Sequence, residues 1–247
     1  VYWQHPQFGR VSPGRFVPLA EDTGLMGPIT DWVLQTAATQ ASEWRAAGLP
    51  RFRMAINVSP LQFRDAHFLD HVSRLYDEGL IDPGALEVEI TESTAMTDVA
   101  AAAERCRALA RLGVAVAVDD FGTGHSSLAS LKRLAVGTLK IDRSFVRNVP
   151  MNHESSAIVE AILALARALS LDVVAEGVET RQQARFLRQR GCRTLQGYLF
   201  GRPASAEAFS GMLRDNFDRR TRSVRHPAFE GGDDPLDETL LLGPRRT

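Results

Sequence analysis

Val114-Ala115-Val116-Ala117-Val118-Asp119-Asp120-Phe121-Gly122-Thr123-Gly124 is the stretch on which the fold turns. Its first five residues form an unbroken apolar run. A strand covered on both faces of a parallel sheet needs such a run, because neither face meets water. Two adjacent aspartates end it, and a glycine-containing loop follows. Upstream, Val99 to Leu112 reads as a helix, with Asp98 as N-cap and Gly113 placed to end it. Downstream, Leu128 to Leu134 fits a short helix. The local unit is helix, buried strand, polar strand end, loop, helix.

The unit recurs in both directions. Met54 to Val58, Leu86 to Thr91, Leu139 to Ile141, Asp172 to Ala175 and Thr194-Leu195 read as further strands. Phe68 to Tyr76 reads as a helix, and residues 153–170 place Ile158, Ile162, Leu165 and Leu169 on one helical face. Thr180 and Gln183 form a capping box for a helix that Gly191 closes. Ala206 to Leu213 is expected as the last helix. Near the start, Pro28 suits the first position of a helix running to Ala47, and Val1-Tyr2-Trp3 reads as the stub of another strand.

Six strand–helix units in succession imply a parallel sheet. A chain of 247 residues suits one large domain or two small ones. Neither a GxGxxG fingerprint nor a Walker phosphate loop is present, which weakens an open doubly wound nucleotide-binding sheet. The expectation is an α/β fold of the modified TIM (β/α)8 barrel type whose opening strand is missing from this chain. The start at Val1 rather than Met reads as a piece of something longer. Residues 1–214 form the expected domain. Residues 215–247 lose periodicity and read as a disordered tail, where Glu230-Gly231-Gly232-Asp233-Asp234 has no strand context and reads as linker.

Composition narrows the partners. A net charge of −1 offers no global basic field for DNA, RNA or anionic membrane. No apolar run approaches the ~18 residues of a membrane span. The two cysteines, Cys106 and Cys192, have no metal-ligand spacing and read as small buried apolar side chains in a reducing compartment.

The chemistry lies at the strand ends. Asn57 falls near the end of the first clear strand, Glu89 and Glu92 near the end of the second, and Asp119 with Asp120 at the end of the third. Lys140, Glu176 and Gln196 end the next three. In a barrel these ends converge on one face, where active sites are built. Taken singly, each carboxylate is more often a helix cap or surface charge than a ligand; six strand ends in register point to a site. Clustered carboxylates with an amide oxygen need cations to stay ionised, and all-oxygen ligands suit Mg²⁺ or Mn²⁺. Adjacent aspartates fit a two-ion site for in-line phosphoryl displacement. Lys132 and Lys140 are the chain's two lysines among many arginines, which hints that a compact ammonium is wanted at position 140. His125, in the glycine loop, reads as surface.

On these residues the chain resembles the EAL-domain family over about residues 1–214. The similarity rests on Trp3-Gln4-His5-Pro6, Phe16 to Glu21, Ile56-Asn57-Val58-Ser59, Glu89-Ile90-Thr91-Glu92, Asp119 to Gly124, Lys140-Ile141-Asp142, Ala175 to Glu179 and Gln196-Gly197-Tyr198. The resemblance implies hydrolysis of cyclic di-GMP to linear 5′-pGpG with two Mg²⁺ or Mn²⁺ ions. It implies that Asn57, Glu89 and Asp119 hold one metal, and that Asp119, Asp120 and Glu176 hold the other. Lys140 would orient the attacking water or stabilise developing charge, and Gln196 would support the water network. Glu92 would pin the loop from Phe121 to Ser127, a segment linked to dimerisation in the family. Three departures stand out: the Glu-Ala-Leu motif is expected just before Val1, Tyr2 occupies a usual arginine position, and His125 replaces a usual tyrosine. A homodimer, an upstream sensory or cyclase domain and a cytoplasmic site of action, with membrane tethering of the parent left open, are the accompanying expectations. A silent receptor for the dinucleotide and a scaffold-type interaction module are the competing readings.

Overall fold

The computed structural model describes residues 1–49, 52–124 and 128–223. The chain opens with an antiparallel hairpin, β1 (Trp3–His5) and β2 (Gly9–Val11), then helices α1 (Pro13–Asp22) and α2 (Met26–Ala46). The expected strand stub at Val1 to Trp3 is therefore a small hairpin of its own, outside the main sheet. His5 closes its turn, the Nδ1 atom accepting from the backbone N–H groups of Gln7 and Phe8. The helix expected from Pro28 starts two residues earlier, at Met26.

Six strands then form one parallel sheet in sequence order: β3 (Met54–Asn57), β4 (Leu86–Thr91), β5 (Ala115–Phe121), β6 (Thr138–Ile141), β7 (Asp172–Ala175) and β8 (Thr194–Leu195). Helices α3 (Pro60–Arg64) and α4 (Ala66–Asp77) follow β3, and α5 (Glu92–Thr97) and α6 (Val99–Arg111) follow β4. After β5 comes α7 (Leu128–Arg133), and after β6 come α8 (Arg143–Val146) and α9 (His153–Ala168). The chain finishes with α10 (Arg181–Gln189) after β7 and α11 (Ala206–Ser223) after β8. All six expected strands are present.

Helix starts follow local chemistry. Asp98 Oδ1 accepts from the Ala101 N–H at 3.1 Å, and Asn152 Oδ1 from Ser155 at 2.7 Å, each satisfying an otherwise orphaned first-turn donor. The Thr180–Gln183 capping box forms as expected. The short helices α3, α5 and α8 were not legible as helices, because four to six residues show no period of their own. Helix α11 runs to Ser223, ten residues beyond the expected stop at Leu213. Arginine is a good helix former and carries the helix on where apolar periodicity fades. Residues 224–247 lie outside the described part of the chain, as do His125 and the end of its loop.

Register assigns the two faces of the sheet. Asn57 pairs with Glu89, Glu89 with Ala117, and Ala117 with Thr138, so these four share a face. Their neighbours Ile56, Val88, Val116 and Val118, Leu139 and Ile141 point to the opposite face and join the main apolar core with Leu109, Ile162, Leu163 and Leu187 from the helices. Each fully buried aliphatic side chain there contributes about 1.5–3 kcal/mol. The helices thus cover one face, and the polar and small residues line the other.

The sheet is curled toward that polar face. Strands sit about 4.8 Å apart, yet the Lys140 ammonium on β6 touches carboxylates from β4, from β5 and from just past β7. Helices beyond the two sheet edges also meet: Trp44 of α2 donates to Ser210 Oγ of α11 at 2.6 Å and packs against Phe209. Parallel strands wound in order, curling with helices outside, are the (β/α) barrel architecture.

Cys106 and Cys192 are buried and unpaired in the helical layer and beside β8. Burial pushes their thiols up to about 11 and about 12. At pH 8 neither forms appreciable thiolate, so iodoacetamide is expected to label neither cysteine in the folded protein and both after denaturation. Mass spectrometry of labelled peptides checks this. Among the described residues no helix is long and apolar enough to cross a membrane.

Candidate active site

The site begins with an irregularity in β5. Val118 pairs with Leu139 and Phe121 with Ile141, leaving Asp119 and Asp120 opposite the single residue Lys140. This is a β-bulge, and Asp120 takes φ +53° to make it. In a regular strand consecutive side chains point to opposite faces; the bulge brings both carboxylates to one side. Aspartate tolerates this left-handed geometry better than most non-glycine residues. The Asp119 Oδ1 atom accepts from the Asp120 N–H at 2.9 Å, which holds the pair in place.

Three carboxylates converge there: Asp119, Asp120 and Glu176 offer oxygens within 4.8 Å of one another. Lys140 is 3% exposed and stands among them, its Nζ 2.6 Å from Glu176, 2.7 Å from Glu89 and 3.1 Å from Asp119. Burial alone would lower its pKa, but Glu89, Glu176 and Asp119 outweigh burial and hold the ammonium above the usual lysine value. It is a fixed cation at neutral pH. Burial raises the Glu89 and Glu176 carboxyls above their ordinary values, with Lys140 offsetting only part of the rise. Asp120 is raised too, by burial and then by the neighbouring charges of Asp119 and Asp142. One ammonium therefore does not neutralise the cluster.

Asp142 is a member that strand-end reading missed. It lies just past β6, caps α8 by accepting from the Ser144 N–H at 2.9 Å, and shares a hydrogen bond with Asp120. Burial would raise its carboxyl, but the Ser144 hydrogen bonds dominate and hold it low. The signal was present in sequence: Asp142 is two residues after Lys140, on the same face by strand alternation.

Glu92 works from the next layer. It is 3% exposed at the start of α5, and its Oε2 accepts from the backbone N–H groups of Gly122 at 2.9 Å and Gly124 at 3.2 Å. A Cβ on Gly124 would lie 2.8 Å from Glu92 Oε1, so a side chain there would push the carboxylate away from the loop. Glu92→Ala is expected to release the loop that follows Asp119-Asp120 and to cost about 2–3 kcal/mol, as lost charge-assisted hydrogen bonds do. Thermal melts together with proteolysis near Gly124 would read both effects.

The remaining expected residues are placed less centrally. Asn57 ends β3 in register with Glu89 and is exposed on the polar face. Gln196 continues β8, its backbone N–H donating to Ala175 at 2.8 Å and its carbonyl accepting from Val178 at 3.0 Å, with the side chain open to solvent. Next to it, a Cβ on Gly197 would sit 2.2 Å from the Val178 carbonyl oxygen, so glycine alone permits β8 to approach the turn that carries Glu176. Tyr2, on the hairpin, carries the Arg10 guanidinium 3.5 Å above its ring.

Carboxylate oxygens, a bulge that doubles them, and carboxyls that favour neutralisation form a donor set suited to hard divalent cations. A curled parallel sheet presents this cluster at its strand ends, where α/β barrels build their active sites. The chain belongs to the EAL domain family, whose model matches residues 1–203. It is 47% identical over 205 residues to the bifunctional diguanylate cyclase/cyclic di-GMP phosphodiesterase MucR of Pseudomonas aeruginosa, covering 83% of this chain and 30% of that protein. The cyclic di-GMP phosphodiesterase NbdA of the same organism is 41% identical over 214 residues, 87% of this chain and 27% of NbdA. The chain therefore spans about a third or less of these relatives. The solved "PaMucR Phosphodiesterase, c-di-GMP complex" superposes with a TM-score of 0.81 at 46% identity, covering 84% of each chain. The EAL domain of Mycobacterium smegmatis DcpA gives 0.72 at 41% identity, covering 77% of this chain and 86% of that one.

Proposed function

We propose that this domain hydrolyses cyclic di-GMP to linear 5′-pGpG with Mg²⁺ or Mn²⁺. The observation that carries the reading is the convergence of Asp119, Asp120, Glu176 and Glu89 around Lys140 in a domain 47% identical to a protein named as a cyclic di-GMP phosphodiesterase. Asn57, Glu89 and Asp119 would hold one ion, and Asp119, Asp120 and Glu176 the other. When bound, such ions supply positive charge to the phosphoryl oxygens and acidify water.

The chain's own residues do the rest. Lys140 would serve as a donor: it would orient the attacking water and compensate charge that develops on phosphoryl oxygen. Asp142 steadies the Asp120 carboxyl through their shared hydrogen bond. Glu92 fixes the loop directly after the aspartates. Gln196, at the exposed mouth, supports the water network there. The messenger places the activity in the cytoplasm, and the homodimer and an upstream sensory or cyclase domain belong to this reading by analogy with the family.

A receptor that binds the dinucleotide without opening it is the second reading. Tyr2 favours it, standing where the family usually has an arginine. The test is turnover of cyclic di-GMP by the full protein with Mg²⁺ or Mn²⁺, followed by anion-exchange chromatography. Release of 5′-pGpG is expected; tight binding with no product would replace the esterase by the receptor.

A further inference from the structure

Below the cluster the polar face carries a second buried network with no place in the chemistry described so far. Glu87, 6% exposed on β4, places Oε2 3.0 Å from the Thr138 hydroxyl on β6 and 2.8 Å from the Arg53 guanidinium just before β3. Strand β5 lies between β4 and β6, so the Glu87–Thr138 bond spans an intervening strand. It does so because the inward residues of β5 beneath it are Ala115 and Ala117, which add only a methyl each.

The geometry repeats one pleat higher. Glu87 pairs with Ala115 and reaches Thr138, which pairs with Ala117. Glu89 pairs with Ala117 and reaches Lys140, which stands opposite Asp119-Asp120. Both links join β4 to β6 across β5, and both advance by one pleat. Glu87 and Glu89 are two residues apart, as are Thr138 and Lys140, so the two links lie one above the other between the same two strands.

We infer that the Glu87–Thr138 link is a positioning device for the proposed reaction: it sets the β4-to-β6 separation at which Glu89 meets the Lys140 ammonium. Thr138 and Glu87 are positioning residues that act through Lys140 and touch no reacting atom. Arg53 pairs with the Glu87 side chain at 2.8 Å and supplies its counter-charge. The inference rests on the phosphodiesterase reading for its kinetic consequence and on geometry alone for its structural one.

The test uses Thr138→Val, which keeps the shape and removes the donor, and Thr138→Ser, which keeps the donor. With two lysines in the chain, lysine-labelled protein gives two side-chain ammonium signals in NMR, and exposed Lys132 serves as internal reference. In Thr138→Val the Lys140 ammonium protons are expected to exchange faster with solvent while those of Lys132 do not change. Turnover is expected to fall about tenfold with KM for cyclic di-GMP nearly constant, the low end of what removal of an outer-shell partner costs. Thr138→Ser is expected to restore both readouts.

Unchanged Lys140 exchange in Thr138→Val would overturn the inference. So would a loss of turnover that Thr138→Ser does not rescue, since that marks a general packing defect. Should the parent protein show no turnover at all, the phosphodiesterase reading falls while the ammonium exchange still decides the positioning role.

Discussion

Asp120→Asn is expected to reduce cyclic di-GMP hydrolysis by at least about 100-fold, the loss that even an outer-shell partner of a metal can cause, with the fold intact. The substitution isolates charge from conformation. Asp120 sits at φ +53° in the β5 bulge, and asparagine adopts that geometry as readily as aspartate. Asp120→Ala would mix the loss of a ligand with backbone strain. Neutralising Asp120 also removes repulsion from Asp119 and Asp142, which together with burial raises its carboxyl. The melting temperature of the variant is therefore expected to equal or exceed that of the parent without divalent ions. Turnover near the parental rate, measured with saturating Mn²⁺, would remove Asp120 from the metal shell and weaken the whole assignment.

Lys140→Met is expected to carry the largest stability cost of any single substitution in the site. Removing one partner of a buried ion pair costs about 3–5 kcal/mol because the other charge is left uncompensated. Here three carboxylates lose the same counter-charge. For a domain of this size the melting temperature is expected to drop on the order of 10 °C. In the parent, the folded-state Lys140 value lies above the unfolded one, so its contribution is complete across neutral pH and lost only as alkaline pH titrates it.

In the variant the buried carboxyls bind protons more tightly folded than unfolded, so stability is expected to rise as pH falls. Divalent ions supply the same neutralisation at constant pH. Mn²⁺ at 100 times its dissociation constant stabilises by about 2.7 kcal/mol, and the gain is expected to be greater in Lys140→Met than in the parent. Melts with and without Mn²⁺ read both effects. A variant as stable as the parent in the absence of metal would mean that the cluster is hydrated enough to need no internal cation.

Both expectations depend on a site whose members were largely legible in advance. The strands could be read because each carries a buried outward row, and an apolar residue at every outward position leaves a pattern that chain order preserves. The strand-end residues Asn57, Glu89, Asp119, Lys140, Glu176 and Gln196 stood out because each interrupts such a run. The hairpin Trp3 to Val11 was less legible, since three-residue strands with a single buried side chain, Val11, have no pattern to break. Helices α3, α5 and α8 were hidden for a related reason: caps such as Ser59, Thr91 and Asp142 signal them, but no period follows.

The linear chain by itself determined the succession of strands and helices, the helix caps and the residue types available for chemistry, because these depend on neighbours within a few residues. Tertiary structure decided which of those groups meet. That Asp119 and Asp120 face the same way depends on a bulge defined only against β6. That Lys140 contacts Glu89 depends on the curl of the sheet and on Ala117 staying small between them. The Glu87–Thr138 link joins residues 51 positions apart across an intervening strand. Electrostatic energy varies with distance through space, and that distance is set by packing.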